Sequence, residues 1–298
     1  MDAFACAACP RQCNAERESG LPSAGVCGMP ADFVVARAAL HQWEEPCISG
    51  QNGSGTVFFS GCSLRCVYCQ NQKISLGRFG APVSADNLMR MFDRLIAQGA
   101  HNLNLVNPTH YAPMLAQVLR RYRSPAPVVY NSGGYERVET LRALEGLVDI
   151  YLPDLKYVDS AVSLRYSGAA DYFANASQAI LEMSRQVGTA VFDENGLMKK
   201  GLIIRHLILP RNTAQSLRAL DWIHENLPKG TLVSLMCQYT PCGDLSACPE
   251  LARRITRREY EKVVDHLLEL GLTGGYLQEP SSAREEYIPP FDLTGVIT

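Results

Sequence analysis

The sequence predicts an α/β protein: a full or partial (β/α)6 barrel of parallel strands with a small cysteine-rich N-terminal module. From Gly55 onward, short apolar runs alternate with longer amphipathic segments, which is typical of repeated βα units around a parallel sheet. Before that point, five of the eleven cysteines occur among glycines and prolines that interrupt any long periodic element. We therefore expect a module over residues 1–50 and a barrel with a C-terminal extension over residues 51–298.

The barrel region contains about six βα repeats. A helix is expected from Asp86, behind the cap Ser84, and a capping box of Thr256 and Glu259 opens another. Right-handed crossovers would curl the sheet, with functional residues at the carboxyl ends of its strands. The candidate strands are residues 56–60, 103–107, 127–131, 148–153, 202–209, 232–236 and 275–278.

Composition excludes several classes of protein. The chain has 298 residues, of which 47% are hydrophobic, so it can bury a sizeable core. A net charge of -2 gives no basic field for nucleic acid or an anionic membrane, and no apolar run is long enough for a membrane span. With no export signal at its start, the chain is expected in the cytoplasm. There, thiols stay reduced and eleven cysteines favour metal ligation or catalysis over disulfides.

Three cysteines form a Cys-x3-Cys-x2-Cys loop directly after the first barrel strand. The segment TVFFSGCSLRCVYCQN contains Cys62, Cys66 and Cys69. Three thiolates can bind three irons of a 4Fe–4S cubane and leave the fourth iron without a protein ligand. A structural zinc site usually needs a fourth ligand nearby, and Cys47 lies fifteen residues upstream. A non-catalytic iron–sulfur or zinc site is the alternative.

This loop, with Tyr68 just before the last cysteine, resembles the signature of the radical S-adenosylmethionine (SAM) superfamily. The resemblance covers nearly the whole chain. Within the superfamily, the chain most resembles uncharacterised relatives of pyruvate formate-lyase activating enzyme. The segments that carry it are CAACPRQC, GVCG, NPTHY, VVYNSGGYE, IYLPDLKY, RHLILP, SLMCQYTP and SSAREEYIPPFD. It implies an oxidoreductase in which SAM chelates the open iron and is reductively cleaved to methionine and a 5'-deoxyadenosyl radical.

The resemblance also implies partners. The radical would abstract hydrogen from a peptide or protein, such as the glycine Cα of a glycyl radical enzyme, and a flavodoxin- or ferredoxin-type protein would supply the electron. Two other functions stay open: radical modification of another peptide or small molecule, and a non-catalytic iron–sulfur electron carrier. The C-terminal segment SSAREEYIPPFD would be a lid, a substrate-reading segment or a solvated surface.

Two strand ends match the cofactor site of the activating enzymes. Asp154 and Lys156 match their Asp-Leu-Lys motif, which implies a monovalent cation site at Asp154 and a SAM carboxylate contact for Lys156. Asn131 and Ser132 align with another part of that site. The alternatives are an exposed lysine at a strand end and a simple Asn-Ser-Gly-Gly turn.

One segment departs from the family pattern. The activating enzymes have a Gly-Gly-Glu segment after the second strand, where this chain has Asn107, Pro108, Thr109 and His110. The methionine end of SAM is still expected near Asn107 and Thr109, without residue-by-residue contacts. His110 is a candidate catalytic residue because it follows a strand end.

Further candidates lie on two later strands. Arg205 and His206 are adjacent in an apolar strand, so alternation sends them to opposite faces and one should point into the barrel. An inward charge needs a partner, such as the SAM carboxylate, the substrate or an acidic residue. Both are therefore candidate catalytic residues, although His206 is equally compatible with a hydrogen-bonded core histidine. Gln238 ends another strand and is expected to line the adenosine or substrate space.

The remaining cysteines fall into two groups. Four form a Cys-x2-Cys-x3-Cys-x13-Cys pattern that would close a second zinc or iron–sulfur site, with unligated thiols as the alternative. Three later ones are spaced more loosely, and we expect them to be inert, with a further cluster or a substrate radical relay as the alternatives. The first group is Cys6, Cys9, Cys13 and Cys27, and the second is Cys237, Cys242 and Cys248.

Overall fold

The computed structural model describes residues 4–278 and 289–298. Residues 281–288 of the C-terminal segment considered as a lid lie outside the described residues. The strands are β1 (Phe4–Cys6), β2 (Ala15–Arg17), β3 (Phe33–His41), β4 (Ser54–Phe59), β5 (Ala81–Val83), β6 (Leu103–Val106), β7 (Val128–Ser132), β8 (Ile150–Pro153), β9 (Val191–Phe192), β10 (Met198–Leu207), β11 (Leu232–Met236) and β12 (Tyr276–Leu277).

The helices follow the parallel strands, as the alternating pattern predicted. Ser84 caps α3 by accepting a hydrogen bond from the backbone N–H of Asn87, and the capping box of Thr256 and Glu259 opens α9. The α-helices are α1 (Pro46–Ser49), α2 (Gln72–Ser75), α3 (Ala85–Ala97), α4 (Ala112–Arg121), α5 (Val138–Arg142), α6 (Ser160–Ser167), α7 (Tyr172–Val187), α8 (Thr213–Asn226) and α9 (Arg257–Glu269).

The main sheet is an incomplete barrel, which confirms the predicted fold class. Its order is β12-β11-β10-β8-β7-β6-β4-β3-β5, and the neighbours from β4 to β12 in this order are all parallel. Strand β9 pairs with β10 in antiparallel fashion beside this order. Within the described residues no pairing joins β12 to β5, so the sheet stays open. The parallel register places Phe58 beside Val106 and Val106 beside Asn131, which aligns the carboxyl ends of β4, β6 and β7.

One edge of the sheet differs from the prediction. Strands β3 and β5 pair in antiparallel fashion next to β4, although no strand was predicted for either segment. Because β3 lies before residue 51, the main sheet begins inside the segment assigned to the N-terminal module. The two-unit boundary at residue 50 stays a prediction, and the small sheet of β1 and β2 is the separate part of that module.

The main core fills the space between the sheet and the surrounding helices. Apolar stripes of α3, α4 and α7 bury side chains such as Phe92, Leu115 and Ile180, which are 0% exposed. None of the described helices is long and apolar enough to cross a membrane.

Candidate active site

The carboxyl ends of β4, β6, β7, β8 and β10 meet around one cavity of about 150 Å³. This arrangement follows from the parallel register, because the loops after neighbouring parallel strands emerge at the same edge of a sheet. We call it the cofactor cavity. Of the residues singled out in the sequence, it is lined by Cys62, Cys66, Cys69, Asn107, Asn131, Ser132, Asp154, Lys156 and Arg205.

The three loop thiols each have a polar neighbour. The backbone N–H of Leu64 donates to Cys62 Sγ at 3.4 Å, and the Ser75 hydroxyl donates to Cys69 Sγ at 3.3 Å. The hydroxyl of Ser167 lies 3.0 Å from Cys66 Sγ. Such contacts stabilise a thiolate once a metal is bound. No local pattern pointed to Ser167, which ends α6 about a hundred residues downstream of Cys66.

The surroundings of the thiols fit a cluster. Burial raises the pKa of all three thiols, and the neighbouring Cys66 and Cys69 raise that of Cys62 further. A positively charged metal centre would supply the charge that lets buried thiolates form. No group of three or more His, Cys, Asp or Glu side chains in residues 4–278 and 289–298 is arranged around a single ion. Thiolates on three different irons of a cubane stand further apart than ligands of one ion, so the cavity wall suits a cluster better.

The same cavity is lined by a partly buried ionic network. Arg205 is the member of the Arg205–His206 pair that faces the cavity, and it donates to Asp154 Oδ1 at 3.2 Å, Glu44 Oε2 at 3.0 Å and Asn131 Oδ1 at 2.8 Å. Lys156 Nζ lies 2.5 Å from Asp154 Oδ2. Burial alone would raise the pKa of Asp154, but Lys156 and Arg205 outweigh it and hold the pKa low. The two cationic side chains, Lys156 and Arg205, thus compensate the charges of the two carboxylates, Asp154 and Glu44.

This network bears on the predicted cation site at Asp154. Both of its carboxylate oxygens already contact cationic side chains, Arg205 on one and Lys156 on the other. A monovalent cation at this position would have to share an oxygen with one of them.

Backbone geometry brings the strand ends close together. Asn107 adopts a positive φ of 58°, its N–H donates to the carbonyl of Asn131 at 2.8 Å, and its side-chain amide donates to the carbonyl of Gly61. It therefore ties the second barrel strand to the cysteine loop. Gly134 has a φ of 77°, and a Cβ there would lie 2.2 Å from the carbonyl of Asp154.

Three predicted site residues lie behind the cavity wall rather than in it. The Thr109 hydroxyl donates to Glu136 Oε1 at 2.5 Å, and the Tyr68 hydroxyl pairs with that of Tyr157. His110 Nε2 lies 2.7 Å from the carbonyl of Ser60. All three side chains are buried and none lines the cofactor cavity, so their packing gives them no direct contact with a ligand there.

His206 faces the opposite side of β10 from Arg205, which corrects its candidacy as a catalytic residue. Its Nδ1 lies 2.6 Å from the carbonyl of Leu155 and its Nε2 lies 2.8 Å from the Ser216 hydroxyl. Burial lowers the pKa of His206 to about 4 and that of His110 to about 3, so both rings are neutral near pH 7. Both histidines hold neighbouring strands and loops in place.

Gln238 lines a separate groove of about 300 Å³ beside the cofactor cavity. We call this the acidic groove, because Glu44 and Glu45 lie in its wall together with Trp43 and Arg205. Sequence reasoning missed this acidic pair. The only local signal is two adjacent glutamates before Pro46, and the contact of Glu44 with Arg205 spans 161 residues.

The four N-terminal cysteines line one small cavity together with Arg11, Arg17 and Ser63. Arg17 is 1% exposed and its Nε has no hydrogen-bond partner, while its other nitrogens donate to the His110 carbonyl at 2.8 Å and Cys27 Sγ at 3.2 Å. No carboxylate pairs with this guanidinium in the part of the chain that the structure describes.

The three later cysteines lie apart from one another. Cys237 donates to the carbonyl of Gln278 at 2.9 Å, and Cys242 donates to the carbonyl of Tyr68 at 3.2 Å. Cys248 is buried in the main core. None lines the cofactor cavity.

Comparison with known proteins agrees with this geometry. Residues 48–172, which carry the cysteine loop and the Asp-Leu-Lys motif, match the family model of a 4Fe–4S single cluster domain. The fold is similar to that of Streptococcus suis SuiB bound to the precursor peptide SuiA, with a TM-score of 0.50 and 14% identity. That match covers 74% of this chain and 47% of the SuiB chain, so the chain spans about half the length of SuiB.

Two further proteins are similar to this chain. The uncharacterised protein MJ0674 of Methanocaldococcus jannaschii is 28% identical over 270 residues, a match that covers 87% of this chain and 73% of that protein. Streptococcus suis SuiB bound to S-adenosylmethionine has a TM-score of 0.47 and 15% identity, covering 73% of this chain and 48% of that one.

Proposed function

We propose that this chain is a radical SAM enzyme in which Cys62, Cys66 and Cys69 hold a 4Fe–4S cluster and SAM binds in the cofactor cavity. One observation carries the proposal: three thiols and the charged side chains of Asp154, Lys156 and Arg205 line a single cavity at the carboxyl ends of parallel strands. The match to a 4Fe–4S single cluster domain and the shared fold support it. When bound, the reduced cluster and SAM supply a 5'-deoxyadenosyl radical that removes hydrogen from a substrate.

The chain's own residues bind and orient the cofactor. Lys156 and Arg205 present cationic groups to the carboxylate of SAM, while Asp154 and Asn131 fix their positions. The glycines after β7 let a ligand approach the backbone closely. Because the ionic network is mostly buried, its charges are little screened by water.

The proposed substrate is a peptide or protein. The structure of SuiB holds a precursor peptide, and the chain resembles the activating enzymes of glycyl radical proteins. A glycine Cα in a glycyl radical enzyme is therefore the most specific candidate. A flavodoxin- or ferredoxin-type reductant and a cytoplasmic location belong to the same proposal.

Anaerobic reconstitution with iron and sulfide, followed by SAM and dithionite, tests this function. We expect 5'-deoxyadenosine and methionine in equal amounts, measured by liquid chromatography with mass spectrometry. A spectroscopically intact cluster that yields neither product would contradict the enzyme and favour a non-catalytic electron carrier. Candidate glycyl radical proteins are then added and monitored for an organic radical by electron paramagnetic resonance. Deuterium transfer from labelled peptides into 5'-deoxyadenosine identifies other substrates.

We also propose a second metal centre, zinc or iron–sulfur, at Cys6, Cys9, Cys13 and Cys27. An iron–sulfur cluster is the better candidate, because these thiols too are not arranged around a single ion. Supporting it, the four thiols line one cavity and Arg17, a buried cation, has only a thiol and a carbonyl as hydrogen-bond acceptors. A buried charge is costly unless it is compensated. Thiolates around a metal carry net negative charge, which four neutral thiols would not.

Metal analysis of paired variants checks the second centre. In Cys9→Ala/Cys27→Ala, we expect loss of one zinc ion or one cluster's worth of iron per chain. The signal of the loop cluster in electron paramagnetic resonance should remain. Cys237→Ala is the matched control and should keep the full metal content. Unchanged metal content in the double variant would show that these cysteines are unligated.

A further inference from the structure

The acidic groove is continuous with the cofactor cavity. A cleft between them shares Asn131 and Arg205 with the cofactor cavity, and it shares Trp43, Glu44 and Gln238 with the groove. A molecule held in the groove can therefore reach the space beside the proposed SAM site. The floor of the groove comes from the ends of β10, β11 and β12, which belong to the rigid sheet.

Glu45 is a third carboxyl group beside the two cations of the ionic network. Burial raises its pKa, and both Arg205 and a side-chain hydrogen bond with Ser234 lower it. Asp154 and Glu44 are balanced by Lys156 and Arg205 through contacts of 2.5 to 3.2 Å. Glu45 adds a further acidic group that is only 7% exposed. Its Oε2 has no hydrogen-bond partner among the residues that the structure describes.

The surroundings of Glu45 favour a cationic ligand over a neutral or anionic one. Burial raises the pKa of Glu45, Arg205 lowers it and Glu44 raises it, so this carboxyl is ionised at a cost unless a positive charge arrives. An anion would meet two adjacent glutamates. The indole of Trp43, which is 55% exposed, lines the same groove.

We propose that the acidic groove binds a cationic group of the substrate, an ammonium or guanidinium on a lysine or arginine side chain, with Glu45 as its direct partner. This rests on the proposed function, because it names the class of peptide that the same site would take. The cationic residue anchors the peptide in the groove, and a neighbouring residue of the peptide extends through the cleft toward the cofactor cavity. Glu44 adds negative charge while keeping its contact with Arg205.

The test compares peptides that differ only in charge. Isothermal titration of the anaerobically reconstituted protein uses acetyl-Gly-Lys-Gly-amide, the uncharged norleucine analogue and the glutamate analogue. We expect the lysine peptide to bind about tenfold more tightly than the norleucine peptide, as one charge-assisted hydrogen bond would give, and the glutamate peptide to bind least. Equal binding of the lysine and norleucine peptides would overturn the proposal without any variant.

Glu45→Gln separates the carboxylate from the rest of the groove. This variant should lose the preference for lysine while it binds the norleucine peptide as before. Glu269→Gln, on the surface of α9, is the matched control and should keep the preference. A lysine preference that persists in Glu45→Gln would show that a group other than Glu45 binds the ammonium of the peptide. Because binding requires no SAM cleavage, failure of this inference and failure of the proposed activity are distinguishable.

Discussion

Replacing any one of Cys62, Cys66 and Cys69 with alanine is expected to bring 5'-deoxyadenosine formation below detection. Each thiol would bind a different iron, so the loss of one leaves a second corner of the cluster without a protein ligand and the cluster is not retained. Iron content, the visible absorption of the cluster and the yield of 5'-deoxyadenosine measure the effect. The fold itself should survive, because the three cysteines lie in a loop and are only partly buried.

The matched control is Cys237→Ala, which removes a thiol outside the cofactor cavity. It should keep the loop cluster and the activity. If a loop variant still made 5'-deoxyadenosine at the wild-type rate, the cluster would be held elsewhere and the site assignment would be wrong.

Arg205→Met is expected to reduce both stability and SAM cleavage. Arg205 is the centre of a network with Asp154, Glu44 and Asn131, and its removal leaves one carboxylate without a cation in a largely buried position. Breaking a buried ion pair by removing one partner costs about 3–5 kcal/mol of unfolding free energy. SAM cleavage should fall at least tenfold, an order of magnitude set by the loss of one charge-assisted contact. Chemical denaturation and the 5'-deoxyadenosine assay measure the two effects.

The acid dependence of stability separates the charge effect from a packing defect. Because Arg205 and Lys156 help to hold the pKa of Asp154 below its unfolded value, this carboxylate stabilises the wild type above that value. The contribution is lost as the pH falls through the pKa in the folded state. Arg205→Met should therefore show a shallower loss of stability in acid. Arg205→Lys keeps the charge but not the hydrogen bonds to three partners. Its loss of stability in acid should therefore lie between those of the wild type and Arg205→Met. Wild-type stability and SAM cleavage in Arg205→Met would contradict the role of this network.

The sequence predicted the parts of the fold that local patterns specify. The parallel strands β4, β6, β7, β8, β10, β11 and β12 follow apolar runs, and Ser84 and Thr256 cap helices because their hydroxyls satisfy free backbone N–H groups. Strands β3 and β5 were missed because their stability comes from pairing with distant segments. Nothing in the local pattern of residues 33–41 distinguishes an edge strand of the main sheet from part of a loop-rich module.

The candidate site was predicted unevenly for similar reasons. The spacing of the loop cysteines is a local signal, and the Asp-Leu-Lys motif follows a recognisable strand. Alternation showed that Arg205 and His206 face opposite sides of β10, but only the register of the sheet shows which one reaches the cavity. Glu45 and Arg17 were missed because the burial of a charge is a property of packing, which the sequence does not display.

The N-terminal cysteine cavity and the cofactor cavity are lined by adjacent residues of the cysteine loop. Ser63 lines the first, and its chain neighbour Cys62 lines the second. Arg11 Nε donates to the Ser63 carbonyl at 2.9 Å, and a Cβ at Gly61 would collide with Met29. Residues before position 30 thus contact the cysteine loop and help to fix its conformation. A truncated chain starting at residue 51 would lose these contacts, so it should take up iron and sulfide at the loop poorly.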